Sequence, residues 1–173
     1  MTRSSLTRIA TAAIITVMLA PVIGGAAVYS NGSKNSTLDV TIKIIADCTI
    51  AANPLDFGQS QGVLATTVTA NTTLNVTCTN TTPYNVGLSA GNGTGSTTAA
   101  RLMSGTGGNT STVAYNLNMT SGGGNWGNIQ GTDTLSGTGS GVQQNLTVYG
   151  QVPAQATPQP DTYKSTLTAT VYF

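Results

Sequence analysis

The chain has 173 residues, enough for one domain with a hydrophobic core, and only 6% of them are charged, for a formal net charge of +1. Histidine is absent, and the five acidic residues are all Asp. This leaves no basic face for nucleic acid and no imidazole for general-base catalysis, and the abundance of Thr, Asn and Gly argues against a helical protein.

In chain order, Arg3 and Arg8 precede an apolar run, Ile9 to Ile23, which ends in the small residues Gly24, Gly25, Ala26 and Ala27. This order predicts a secretory signal peptide over residues 1–27, cleaved after Ala26 or Ala27. The run is short for a membrane anchor, the competing interpretation. Beyond residue 27, Lys34, Lys43, Arg101 and Lys164 stand against the five Asp. The polar stretch from Tyr29 to Ser36 has no apolar periodicity and is expected to be mobile.

Next comes the clearest period-two pattern in the chain. Leu38, Val40, Ile42 and Ile44 alternate with Thr37, Asp39, Thr41 and Lys43, so one face is aliphatic and the other polar. Residues 28–46 are therefore expected to form an N-terminal extension carrying a strand at 37–46, ahead of a domain at 47–173. The strand could pair within its own chain, as sequential strands usually do. Its place behind a mobile linker would also let it reach another molecule by strand addition.

Within the domain, strands are expected at Asp47 to Ala51, Val63 to Ala70, Thr73 to Thr79 and Tyr84 to Ala90. Gly91 to Thr98 is a loop, and Arg101 to Met103 a short strand. Val113 to Met119 alternates again, Ser121 to Gly141 is glycine-rich around Trp126, and Gln143 to Val152 is a strand. After a proline-containing connection, Thr162 to Phe173 is read as one final strand with Leu167, Ala169, Val171 and Phe173 on its apolar face. Short strands at this spacing predict an all-β antiparallel sandwich. Cys48 and Cys78 are the only cysteines. In an exported chain they are expected to pair, with about 3.5 kcal/mol of stabilisation from the closed loop. Two thiols with no His cannot supply four zinc ligands, so no metal is expected. The Gly91 to Ser96 run lacks the helix that a phosphate loop requires. No catalytic residue, cofactor or enzymatic activity is expected.

The C-terminal half resembles the spore coat protein U domain family, which includes subunits of archaic (Csu-type) chaperone–usher pili. The stretches that carry the resemblance are Val113-Ala114-Tyr115-Asn116-Leu117, Trp126-Gly127-Asn128 with Gly131-Thr132, Leu146 to Pro153 and Tyr163 to Phe173. Cys48, the Leu55-Asp56-Phe57-Gly58 turn and Val76-Thr77-Cys78 fit as well. The resemblance implies an incomplete immunoglobulin-like antiparallel β-sandwich, completed by a donor strand from a neighbouring subunit. It implies a subunit of an adhesive surface fibre supporting attachment and biofilm formation. Identical or related subunits, a periplasmic chaperone and an outer-membrane usher would be its partners. Leu38, Val40, Ile42 and Ile44 would be the donor face, and the Leu167 to Phe173 face would line the accepting groove. A protective spore-coat or cell-surface coat protein and a minor or tip adhesin subunit are the alternatives. All of these place the protein at the cell surface after passage through the periplasm, with the signal peptide removed.

Overall fold

The computed structural model describes residues 32–59 and 64–173, so the expected signal peptide lies outside the described residues. The chain divides into two units, residues 1–41 and 42–173. In the described part of the first unit, residues 32–41, every residue is exposed and none is in a strand or helix. The second unit opens with residues 42–47, also outside any strand, and then contains ten strands and no helix among its described residues.

The strands are β1 (Cys48–Ala52), β2 (Val68–Cys78), β3 (Pro83–Leu88), β4 (Arg101–Gly105), β5 (Thr112–Thr120), β6 (Gly123–Asn125), β7 (Leu135–Thr138), β8 (Gln144–Val152), β9 (Tyr163–Lys164) and β10 (Ala169–Tyr172). The larger sheet runs β1-β2-β8-β5-β4-β9, with β6 paired to β5, and the smaller runs β10-β3-β7. Every pairing is antiparallel. The two inner faces supply the core by simple alternation. Leu74, Val76 and Cys78 come from β2, Tyr84, Val86 and Leu88 from β3, Val113, Tyr115 and Leu117 from β5, and Val148 and Val152 from β8. This is the all-β antiparallel sandwich that the residue pattern predicts, with the immunoglobulin-like architecture that the resemblance implies.

Three elements differ from the sequence expectation. The stretch read as two strands around Ala70 to Thr73 is one continuous strand, β2. Its Asn71 and Thr72 pair with Tyr149 and Val148, so the long ladder with β8 overrides their local turn preference. The glycine-rich stretch holds two short strands rather than loop alone. One of them, β7, pairs with β3, and its Gly137 admits the Tyr84 ring, which any Cβ there would overlap. Finally, Thr162 to Phe173 is not one strand. β9 pairs with β4 on the larger sheet and β10 with β3 on the smaller, and residues 165–168 cross between them.

Two large buried side chains tie the sheets together by hydrogen bonds to the main chain. Trp126, fully buried, donates its indole N–H to the Val86 carbonyl at 2.7 Å. Arg101 is 1% exposed and spends its guanidinium on main-chain carbonyls. Nη2 donates to Leu88 and Trp126 at 2.8 and 2.6 Å, Nε to Ser89 at 3.0 Å and Nη1 to Thr98 at 2.8 Å. Burial pulls its pKa down, partly offset by the Tyr115 and Asp133 side chains. Cys48 and Cys78 face each other in the β1–β2 ladder and are joined as a disulfide.

Candidate functional site

Beside these closed positions the core borders open cavities. A cavity of about 750 Å³ is lined by Val68 of β2, Met103 of β4, Val113 of β5, Val152 of β8 and the segment 157–162. A second cavity of about 460 Å³ is lined by Leu74, Leu117, Val148, Leu88 and Leu167, together with Tyr115 and residues 164–166. Leu55, Phe57, Met103 and Tyr163 border both, so the two cavities are halves of one groove. Its floor follows the strand direction. From Val68 to Leu74 is six residues along β2, about 20 Å at the rise of an extended strand. Leu55 and Phe57 come down close on the β8 backbone between the halves. A Cβ at Gly150 would sit 2.5 Å from Leu55 Cδ2, so a larger residue there would push the Leu55 and Phe57 side chains aside.

One wall of this groove is the C-terminal segment. Thr166 and Thr168 use both their main-chain groups on the β3 side: each N–H donates to the Asn92 or Ser89 side chain, and each carbonyl accepts from the N–H of that residue. By the period of two, the N–H and C=O of Ser165 and Leu167 face the other edge. Neither residue's main-chain groups have a hydrogen-bond partner among the described residues. An apolar floor beside a row of free donors and acceptors is what an added strand needs: ladder bonds from the edge, pockets for alternate side chains. Two hydroxyls beside the groove, Tyr115 Oη and Ser165 Oγ, are also buried without a partner among the described residues.

The residues singled out from the sequence fall on both sides of this arrangement. Leu38, Val40, Ile42 and Ile44 are 85, 86, 87 and 78% exposed, and residues 37–46 form no ladder with any described residue. Leu167 lines the smaller cavity. Ala169 and Val171 pack against the core, whereas Phe173, at the chain end, is 58% exposed. Sequence reasoning did not find Met103, Val113, Leu74 or Val148 as groove lining. Their alternation marks them as inward-facing, but no local signal says which inward residues border the cavities. Arg101 was read only as part of a short strand.

Fold and groove together define the class: an immunoglobulin-like β-sandwich with an open apolar groove. The family match is to the Spore Coat Protein U domain over residues 34–170, and the chain belongs to that family. Among solved structures it is similar to the CsuC–CsuE chaperone–tip adhesion subunit pre-assembly complex of the archaic chaperone-usher Csu pili of Acinetobacter baumannii. The identity is 24% and the TM-score 0.55, over 75% of this chain and 40% of that one. That likeness is one of fold, and the alignment spans well under half of the longer chain. The Hda pilus minor tip subunit HdaB of E. coli aligns more distantly, at 16% identity and a TM-score of 0.38, over 72% of this chain and 78% of that one. No curated protein matches.

Proposed function

We propose that this chain is a structural, non-enzymatic subunit of an adhesive surface fibre, polymerised by donor-strand exchange. In this reading residues 1–27 are a leader removed on export, 28–46 the extension that carries the donor strand, and 47–173 the accepting domain. The observation that carries it is a pair of incomplete structures in one chain. Among the described residues, the groove has an apolar floor and unpartnered main-chain groups at its edge, and residues 37–46 have an apolar face and no ladder partner. The four donor side chains from Leu38 to Ile44 span six residues, about 20 Å, the same length as the floor from Val68 to Leu74. Burying them contributes about 1.5–3 kcal/mol each before the entropy of association is subtracted.

An uncovered groove is an aggregation hazard. A periplasmic chaperone that holds it until an outer-membrane usher exchanges one strand for another answers that hazard. Membership of the Spore Coat Protein U domain family supports this reading, as does the likeness of the fold to a subunit solved with its chaperone. Attachment and biofilm formation are the functions such a fibre serves.

The test is a pair of neighbouring substitutions in the exported chain. Ile42→Asp places a charge on the face meant for an apolar groove and should abolish fibres seen by electron microscopy of the cell surface. Thr41→Asp, on the other face, should leave them in place. Fibres of normal number and length from Ile42→Asp cells would refute strand donation.

A further inference from the structure

The inward side of β2, β8 and β5 lines the groove, and the outward side of the same three strands is a second surface. Period two puts Thr69, Asn71, Thr73, Asn75 and Thr77 of β2 on it. Hydroxyl and carboxamide alternate strictly along this row, in steps of about 7 Å. The register carries the pattern across the sheet. Thr73 stands opposite Thr147, and Thr69 stands opposite Gln151, with Asn116 beyond. Asn71 stands opposite Tyr149, which has Asn118 on its far side. Tyr149, half-buried, therefore sits between two asparagines in a row about 10 Å wide. No charged residue lies on β2, β5 or β8. Elsewhere, asparagine side chains hold the chain's own segments: Asn53 donates to Thr73 Oγ1, and Asn92 and Asn109 accept the N–H groups of Thr166 and Ser111. The side chains of Asn71, Asn116, Asn118, Tyr149 and Gln151 have no hydrogen-bond partner among the described residues.

We infer that this outward face binds an uncharged polysaccharide, lying across β2, β8 and β5 with Tyr149 at the centre of the contact. Three features select that ligand. Carboxamides and hydroxyls both donate and accept hydrogen bonds, as sugar hydroxyls do, so each can pair with either role. The Tyr149 ring offers the C–H surface of a sugar an apolar patch, while its own hydroxyl remains available as a donor. The charge also matches: an uncharged polymer meets no ion that must be desolvated, whereas a polyanion finds no cation to pair with. The face points away from the groove, so filling the groove leaves it accessible. Each contact is weak alone. Repeated once per subunit along a fibre, the contacts add by avidity, and that step alone rests on the strand-donation reading.

The experiment is affinity electrophoresis of the full exported chain in native gels containing hydroxyethyl cellulose, with alginate as the charged counterpart. The chain should be retarded by hydroxyethyl cellulose and not by alginate. Tyr149→Ala and Asn71→Asp should each raise the polymer concentration for half-maximal retardation about tenfold, every variant being compared with its own mobility in plain gel. Asn80→Asp, in the turn between β2 and β3, should change nothing. None of these side chains belongs to the buried core, so the variants should melt close to wild type. Absence of retardation by hydroxyethyl cellulose, equal retardation by alginate, or retardation that survives Tyr149→Ala overturns the inference. So does self-association in plain gel that Tyr149→Ala abolishes, because the face then belongs to a second copy of the chain. A chain that is retarded but forms no fibres refutes strand donation and leaves the face standing; fibres that are not retarded do the reverse.

Discussion

Arg101 is the residue that ties several main-chain segments of the core together. Its hydrogen bonds tie the end of β3, through Leu88 and Ser89, to the Trp126 backbone and to Thr98, which no ladder reaches. Arg101→Lys keeps the charge but offers a single ammonium in place of a planar fork, and should cost about 1–3 kcal/mol in urea unfolding. Arg101→Leu should cost more, because several buried carbonyls then lose their donors together. Tyr84 sets a pH limit. Burial raises its pKa above the usual 10.0, so the folded state holds the phenolic proton more tightly than the unfolded state does. That contribution is complete below the unfolded pKa and is lost as pH rises through the folded one. The melting temperature should therefore fall as pH rises above about 10. In Tyr84→Phe that part of the fall should be absent. Tyr115→Phe, which removes a buried hydroxyl with no partner among the described residues, should be close to neutral or slightly stabilising.

At the scale of elements, β1 is the short edge strand of the larger sheet and follows the amphipathic segment 37–46 directly. The Cys48–Cys78 bond ties it to β2 across 30 residues of sequence. Replacing both cysteines by Ser should lower stability by about 3.5 kcal/mol, the loop-closure entropy returned to the unfolded chain, with the urea midpoint as the measure. The C-terminal segment shows what alternation can and cannot say. Leu167, Ala169 and Val171 were legible as one inward face because period two survives the passage from one sheet to the other. The break into β9 and β10 was not legible. It depends on β4 and β3 each offering an edge at different places, and those edges are set by residues about 60 to 80 positions earlier. The same holds for β2: Asn71 and Thr72 look like a turn until β8 lies alongside.

For the whole molecule, the proposed reading puts donation and acceptance at separate places, which gives a complementation test. Leu167→Asp puts a charge at the groove wall and should block acceptance while leaving the strand 37–46 able to donate. Ile42→Asp should do the opposite. Each variant alone should form no fibre. Mixed, they should stop at dimers, the Ile42→Asp chain accepting the strand of the Leu167→Asp chain, as size-exclusion chromatography would show. Fibres or monomers from the mixture would contradict the separation of roles.

The sequence by itself determined the sandwich, because alternation and turn residues specify which side chains face inward whatever the strand order. It also marked 37–46 as amphipathic and picked out the two cysteines, since both signals are local. Only the tertiary structure decided where the core stays open. Leu74 and Val76 read alike along β2 and both are buried, yet Leu74 borders the groove and Val76 does not. That difference comes from what stands opposite each residue across the sandwich. Coverage by a distant strand is a property of assembled sheets, and no stretch of sequence carries it alone.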